Sequence, residues 1–307
     1  MGRYVIRRLI QMIPVFFGTT LLLFLLMSVV GNPLNALTPA QKQNPAYIAY
    51  LNEQFNLDDP VIVQYLKYIW NVLHGDFGQT FGGQSVWDIV VQRFPVTVTL
   101  AVTAVVIEIV LGISIGIYAA IKKGKWFDNA SLAVALILIA IPLFVLGFVL
   151  QWVFGVKLGW VAPSGISQGW PTSYILPAFV LAAGSLAYVL RLTRQSLLET
   201  FNLDFMRTAK AKGLPRRTIM RKYGLRNSLI PVVTFLGIEL GTLMGGAVVT
   251  EGIVNIPGIG QQLYSSIRQD ETVVVVGIAT ILVIVYLLTS LIVDILYAVL
   301  DPRIRYE

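Results

Sequence analysis

Six long apolar blocks dominate this chain: residues 9–30, 96–121, 130–154, 173–190, 229–250 and 273–299. As helices rising about 1.5 Å per residue, blocks of this length reach across a hydrocarbon core about 30 Å thick. Helices also satisfy every backbone group internally, which lipid demands and water does not. The blocks therefore predict an all-α integral membrane protein with six transmembrane helices. Together they hold no Lys or Arg and three acids, Glu108, Glu239 and Asp294. An acid in mid-span costs about 2.5 to 3.5 kcal/mol. Against this the last block sets 18 Leu, Ile and Val residues, each favouring insertion by about 0.3 to 0.6 kcal/mol. The apolar side wins. The first block follows Arg3, Arg7 and Arg8, as the core of a cleaved leader would. Its apolar run is too long for one, and Gly31, Asn32 and Pro33 offer no small-x-small cleavage site, so it is expected to remain as a helix.

Orientation follows from the basic residues between the blocks. One set of segments (the start of the chain, residues 122–129, residues 191–228 and the C-terminal tail) carries eighteen Lys and Arg. The opposite set, although longer, carries five: Lys42, Lys67, Arg93, Lys157 and Arg268. Cytoplasmic loops hold the excess of positive charge, so both termini are predicted inside. The net charge of +7 is thus a topology signal rather than a nucleic-acid surface. Cysteine is absent and His74 is the only histidine. That removes disulfides, thiolate metal sites, cysteine nucleophiles and any metal centre built on several imidazoles.

Two extracytoplasmic stretches carry turn signals. The first outer loop, residues 31–95, contains an amphipathic patch (Val61, Tyr65, Tyr68, Ile69, with Lys67 off that face) and then HGDFG, residues 74–78. Its glycines and Asp76 mark a turn after a helix end, with His74 as a satisfied turn residue. Residues 251–272 contain NIPGIGQQL, where Pro257, Gly258 and Gly260 are expected to break any helix and permit tight turns. This segment either closes an ordinary hairpin or dips back toward the membrane where protein or water satisfies its backbone.

The most informative stretch is cytoplasmic. DFMRTAKAKGLP, residues 204–215, predicts a short helix: Asp204 suits its N-cap, Lys210 and Lys212 its last turn, and Gly213 the residue beyond. RRTIMRKYGLRNSLIP then leads into the fifth block. A short helix, a glycine and a basic–apolar run before a late span resemble the signature loop of ABC importer permeases. That family's pattern is Glu-Ala-Ala, three residues, Gly, nine residues, Ile-x-Leu-Pro. Here Ala209, Gly213 and Leu225 agree, while Arg207, Thr208, Tyr223 and Arg226 depart from it. RTAKAKGLP is closer to the oligopeptide and dipeptide branch. HGDFG, NIPGIGQQL and DILYAVLDPRIRY (residues 294–306) likewise resemble the first permease subunit of that branch, so the likeness spans the chain.

The resemblance implies a type I ABC importer permease fold in the bacterial plasma membrane, with residues 1–95 as an N-terminal helix plus folded outer loop and residues 96–307 as a five-helix core carrying the coupling loop 191–228. It implies a second homologous permease, two ABC ATPase subunits and an extracytoplasmic substrate-binding protein as partners, with peptides as cargo. Other members of the branch carry glutathione, nickel chelates, haem or oligosaccharides. It assigns ATPase coupling to Phe205, Arg207, Thr208, Ala209, Lys212, Gly213, Leu214 and Pro215, mainly through apolar and small side chains. Pro257, Gly258 and Gly260 become an extracytoplasmic gate or binding-protein contact. No cofactor is expected on this chain: no GxxxxGK[ST] phosphate loop occurs in it, which leaves ATP and magnesium to the ATPases. Glu108 and Glu239 are candidates for the translocation path, each offering a negative site to a peptide ammonium group or else pairing with a polar neighbour. Asp294, near the cytoplasmic end of its span, is expected to meet water or Arg303. A membrane-embedded enzyme is the rival reading, and a Glu108–Glu239 carboxylate pair would be its one resource. Glycines four apart (Gly112 and Gly116; Gly237, Gly241 and Gly245) predict close helix packing, and Pro142 and Pro177 predict kinks.

Overall fold

A computed structural model describes residues 2–30, 58–80 and 82–300, together with positions 45, 48, 49, 52 and 56. Helices make up almost all of its regular structure: α1 (Gly2–Val30), α2 (Val61–Leu73), α3 (Val86–Ile107), α4 (Ser114–Ile121), α5 (Trp126–Ala140), α6 (Leu143–Leu150), α7 (Thr172–Phe201), α8 (Asp204–Ala211), α9 (Ile230–Val254), α10 (Ile259–Arg268) and α11 (Thr272–Leu300). Four runs are unbroken and apolar enough to cross a bilayer, and the number reaches the expected six if each of two bent pairs is one span. By contact the chain groups into Met1–Thr97 with Ile256–Glu307, and Val98–Asn255.

In the first unit α1 lies along α11, and Arg8 Nη2 donates to Asp294 Oδ1 at 2.9 Å. Arg8 is thus the partner of Asp294; Arg303 lies outside the described residues. The core of this unit gathers Val72 of α2, Phe77 of the HGDFG turn, Val86 and Val90 of α3, Ile259 of α10, and Val274, Ile278 and Ile281 of α11. HGDFG does form a turn at the end of α2. The Asp76 carboxylate accepts from the Gly78 amide at 2.9 Å, and Gly75 and Gly78 take φ of 83° and 93°. Gly78 is required twice over, because a Cβ there would also lie 2.6 Å from Val273 Cγ1. His74 is exposed and its Nδ1 meets the Trp70 carbonyl at 2.7 Å.

The second unit is built on α7, which continues to Phe201, past the predicted span end at residue 190. α3 and α4 form one continuous run joined by a π-helical turn, Glu108–Ile113. A Cβ on Gly112 would collide with Val189, and one on Gly116 would lie 2.7 Å from the Leu190 carbonyl oxygen and from Thr193 Cβ. The four-residue spacing therefore lets this run press against α7, as expected where close packing rather than water expulsion holds helices together. Gly245 of α9 has open space around it instead.

The kink expected at Pro142 is present: α5 and α6 meet at 105° across Ile141 and Pro142, both in extended conformations. A proline disfavours the α region for its predecessor, and here Ile141 ends α5. Pro177, by contrast, stays inside α7. α3 begins at Val86 rather than 96, since Val86 and Val90 bury toward the core just described.

Candidate functional site

α8 follows the inner end of α7 directly, in the cytoplasmic segment. Asp204 is its first helical residue, and Leu203, in extended conformation, occupies the cap position predicted for Asp204. The Asp204 carboxylate therefore complements the positive helix terminus as a charge, 3.5 Å from Arg207 Nη1, without capping it. Met206 and Ala209 turn inward and pack with Ile219 against Phe201, Leu214 and Tyr223. This small cluster fixes α8 on the helical run that follows it, which holds a π-helical stretch at Ile219–Leu225. Gly213 takes φ +70° beyond the Lys212 cap, and its amide bonds back to the Lys210 carbonyl at 3.0 Å.

The inward turn sorts the candidate coupling residues. Phe205, Arg207, Thr208, Lys212, Gly213 and Pro215 are exposed, Leu214 is half-buried, and Ala209 is buried. Ala209 thus holds the helix in place rather than presenting itself. The outward surface is also less apolar than expected, since Arg207, Thr208, Lys210 and Lys212 stand beside Phe205.

Just on the membrane side of this loop lies an ion pair that the sequence pattern did not reveal. Arg194 of α7 holds Asp128 of α5 with two bonds, Nε to Oδ1 at 2.5 Å and Nη2 to Oδ2 at 2.8 Å. The Gly124 amide adds a third bond to Asp128 Oδ2 at 2.8 Å. The Asp128 side chain is 1% exposed. Both residues sit in segments that charge counting marks only as cytoplasmic. The available signal was an acid in the first turn of α5. Ser196 supplies a further tie, donating to the Ser228 carbonyl at 2.8 Å.

Glu108 and Glu239 do come together. Ser185 Oγ donates to Glu108 Oε1 at 2.5 Å, and Glu239 lies near this pair. Glu108 is fully buried with Oε2 unpartnered, on the π-helical turn, whereas Glu239 is half-buried. Ser185 went unnoticed in the sequence because a serine in a span is unremarkable alone.

The NIPGIG segment places its turn one step earlier than predicted. Asn255 takes the left-handed conformation that ends α9, with φ 55°. Gly258 is extended, and Gly260 lies buried in the first turn of α10 instead of breaking it. Gly258 has no side chain to cap α10, and Thr97 does so from α3, its Oγ1 accepting from the Ile259 amide at 2.9 Å. Arg93 of α3 likewise donates to Gln261 at 2.7 Å.

Comparison with known proteins agrees with this architecture. Residues 112–306 match the family described as binding-protein-dependent transport system inner membrane component, and residues 1–101 match the N-terminal region of such components. The glutathione transport system permease protein of Escherichia coli (strain K12) is 36% identical over 308 residues, covering 100% of both chains. Its counterpart in Salmonella paratyphi A is 35% identical over the same span. Among solved structures, an inward-facing methionine ABC transporter aligns with TM-score 0.58 at 22% identity, covering 69% of this chain and 96% of that one. An amino acid ABC transporter with histidines aligns at TM-score 0.50 and 18% identity, covering 68% of this chain and 92% of that one.

Proposed function

This chain belongs to the binding-protein-dependent transport system inner membrane components, as a type I ABC importer permease of the bacterial inner membrane, and on that premise we propose that its cargo is a short peptide or peptide-like molecule. The observation that carries the proposal is the end-to-end similarity to permeases for glutathione, chemically a tripeptide. The peptide-branch wording of residues 207–215 supports it independently.

In this reading a binding protein delivers the cargo from outside, a second permease completes the path, and two ATPases drive the change of access. α8 is the surface through which the ATPases act. Its exposed residues Phe205, Arg207 and Thr208 meet the ATPase, while Met206 and Ala209 transmit the push through Ile219 into the run that leads to α9. Gly213 aims the helix. Glu239, half-buried beside Ser185, is the acid better placed to meet a cargo ammonium group; Glu108, enclosed behind the same hydroxyl, positions it. Pro257 and Gly258 set the entry of α10, an outer contact for the binding protein.

The test is uptake by the reconstituted importer with its own ATPases and binding protein, using labelled dipeptides, longer peptides, glutathione, a nickel chelate and an oligosaccharide. Uptake confined to peptides or glutathione is the expected result, and preference for the chelate or sugar would overturn it. In the same vesicles Gly213→Val should abolish uptake while the chain still inserts. A bare Cβ at Gly213 meets nothing within 4 Å, so the damage comes from φ +70° alone. Gly213→Asn, which tolerates that conformation, should then restore most of the activity. Glu239→Gln should weaken uptake of cargo with a free amino terminus more than of N-acetylated cargo.

A further inference from the structure

α2 has three faces, and two of them are accounted for. The first faces the protein. Tyr65, Ile69 and Val72 are buried, Tyr65 Oη lies 3.0 Å from Thr20 Oγ1 and donates to the Phe17 carbonyl of α1 at 3.0 Å, and Tyr68 Oη bonds Thr280 Oγ1 of α11 at 2.8 Å. Phe24 stacks on Tyr68 and leans on Tyr65, with both ring pairs 5.7 Å apart. The second face is polar: Gln64, Lys67, Asn71 and His74 recur at helical spacing. Gln64 bonds the Asp59 carbonyl at 2.8 Å, and Lys67 is held by Asn56 at 2.8 Å and Asp59 at 2.6 Å. The third face, Ile62, Leu66, Trp70 and Leu73, also recurs at helical spacing, and it is apolar yet 71%, 61%, 64% and 67% exposed.

Depth decides what covers that third face. Both termini are cytoplasmic, so the outer end of α1 is Val30 and the outer end of α11 is Thr272. Thr20 lies ten residues inside the first and Thr280 eight inside the second. At 1.5 Å per residue the two tyrosine hydroxyls are anchored about 15 Å and about 12 Å below the helix ends. A helix whose ring contacts reach from Phe24 down to Thr20 and Thr280 sits at the headgroup–acyl boundary, the level at which an amphipathic helix buries an apolar face about 5–10 Å deep. A water-facing position would leave four large apolar side chains in solvent. A helix partner would call for small residues that permit close approach, and this stripe has none.

We infer that α2 is an interfacial helix lying in the outer leaflet, with Ile62, Leu66, Trp70 and Leu73 in contact with lipid acyl chains and its polar stripe turned toward the headgroups. Trp70 suits that level, since indole rings collect at membrane interfaces. The first outer loop is then joined to the bilayer as well as to α1 and α11.

The absence of cysteine makes the test direct, because any introduced thiol on this chain is unique. Spin labels at Leu66→Cys, Leu73→Cys, Gln64→Cys and Asn71→Cys are placed in the complete importer, reconstituted in phosphatidylethanolamine–phosphatidylglycerol vesicles. Collision with oxygen should exceed collision with a water-soluble nickel chelate several-fold at 66 and 73, with the reverse at 64 and 71. Equal chelate access at all four would overturn the inference in favour of water. Labels at 66 and 73 shielded from both reagents would overturn it in favour of a covering protein. A second measurement needs no thiol: lipids brominated on the acyl chains should quench part of the tryptophan emission, and that part should shrink in Trp70→Phe to the share of other lipid-facing indoles such as Trp152, 58% exposed within its own apolar block. Quenching that is identical in Trp70→Phe would count against the lipid contact.

Discussion

A single buried carboxylate carries much of the cytoplasmic end of the second unit. Asp128 receives two bonds from Arg194 and one from the Gly124 amide, and almost none of it reaches solvent. Removing one member of such a pair strands the other charge, which costs about 3–5 kcal/mol when both are buried. Arg194 is 21% exposed, so the cost of stranding it is lower than that of stranding Asp128. Arg194→Ala should therefore lower the thermal stability of the purified chain more than Asp128→Ala does, and the double variant should be less damaged than the two single losses added together. Additive losses in a detergent unfolding series would mean that the pair does not couple. Residue patterns could not reveal this contact. Asp128 and Arg194 lie 66 positions apart, and in the sequence each is one more charge at a membrane boundary.

Helices and their breaks were legible where periodicity or backbone chemistry speaks locally. The six apolar blocks, the end of α2 at HGDFG and the glycine after α8 all follow from such local rules. What escaped was set by partners distant in sequence. Residues 86–95 looked like loop because Arg93 and Pro95 interrupt their apolar run, yet Val86 and Val90 have a core to enter and Arg93 has Gln261. Gly260 looked like a helix breaker, but α10 is capped from Thr97 and closes around it. The seat of the HGDFG turn on α11 is another such fit. A Cβ on Gly277 would run into the Phe77 carbonyl oxygen and come within 3.1 Å of Val86 Cγ1. A backbone oxygen cannot move aside as a flexible side chain does. Gly277→Ala should thus separate turn and helix and cost about 1–3 kcal/mol, the usual range for overpacking. Gly245→Ala, in open space on α9, should cost far less. Melting temperatures of the two variants beside the parent chain decide the matter, and equal values would remove Gly277 from the contact.

At the scale of the whole molecule, orientation rests on a bias that no single residue carries. Eighteen basic residues lie on one side of the spans and five on the other, and the structure uses some of those eighteen for packing as well. Arg8 reaches Asp294 near the inner end of α11, and Arg194 reaches Asp128 near the inner end of α5, so two of the charges that orient the chain also tie helices together on the cytoplasmic side. Lys67, of the opposite set, is paired with Asp59 within the outer loop. Topology and packing therefore point the same way. Two exposed glycines with positive φ offer insertion points directly after them: Gly83 in the outer loop and Gly124 between α4 and α5, where an added Cβ would meet nothing within 4 Å. A reporter active only outside the cytoplasm should work at Gly83 and fail at Gly124, and a cytoplasmic reporter should do the reverse. Insertion at residue 306 should behave as Gly124 does, because an even number of crossings returns the chain to its starting side. The pair at Gly124 and 306 is the sensitive one. If α5 and α6, bent at 105°, entered and left by the same face instead of crossing, the crossings after Gly124 would number three rather than four. Residue 306 would then lie opposite Gly124, and a six-span permease would be refuted by one assay.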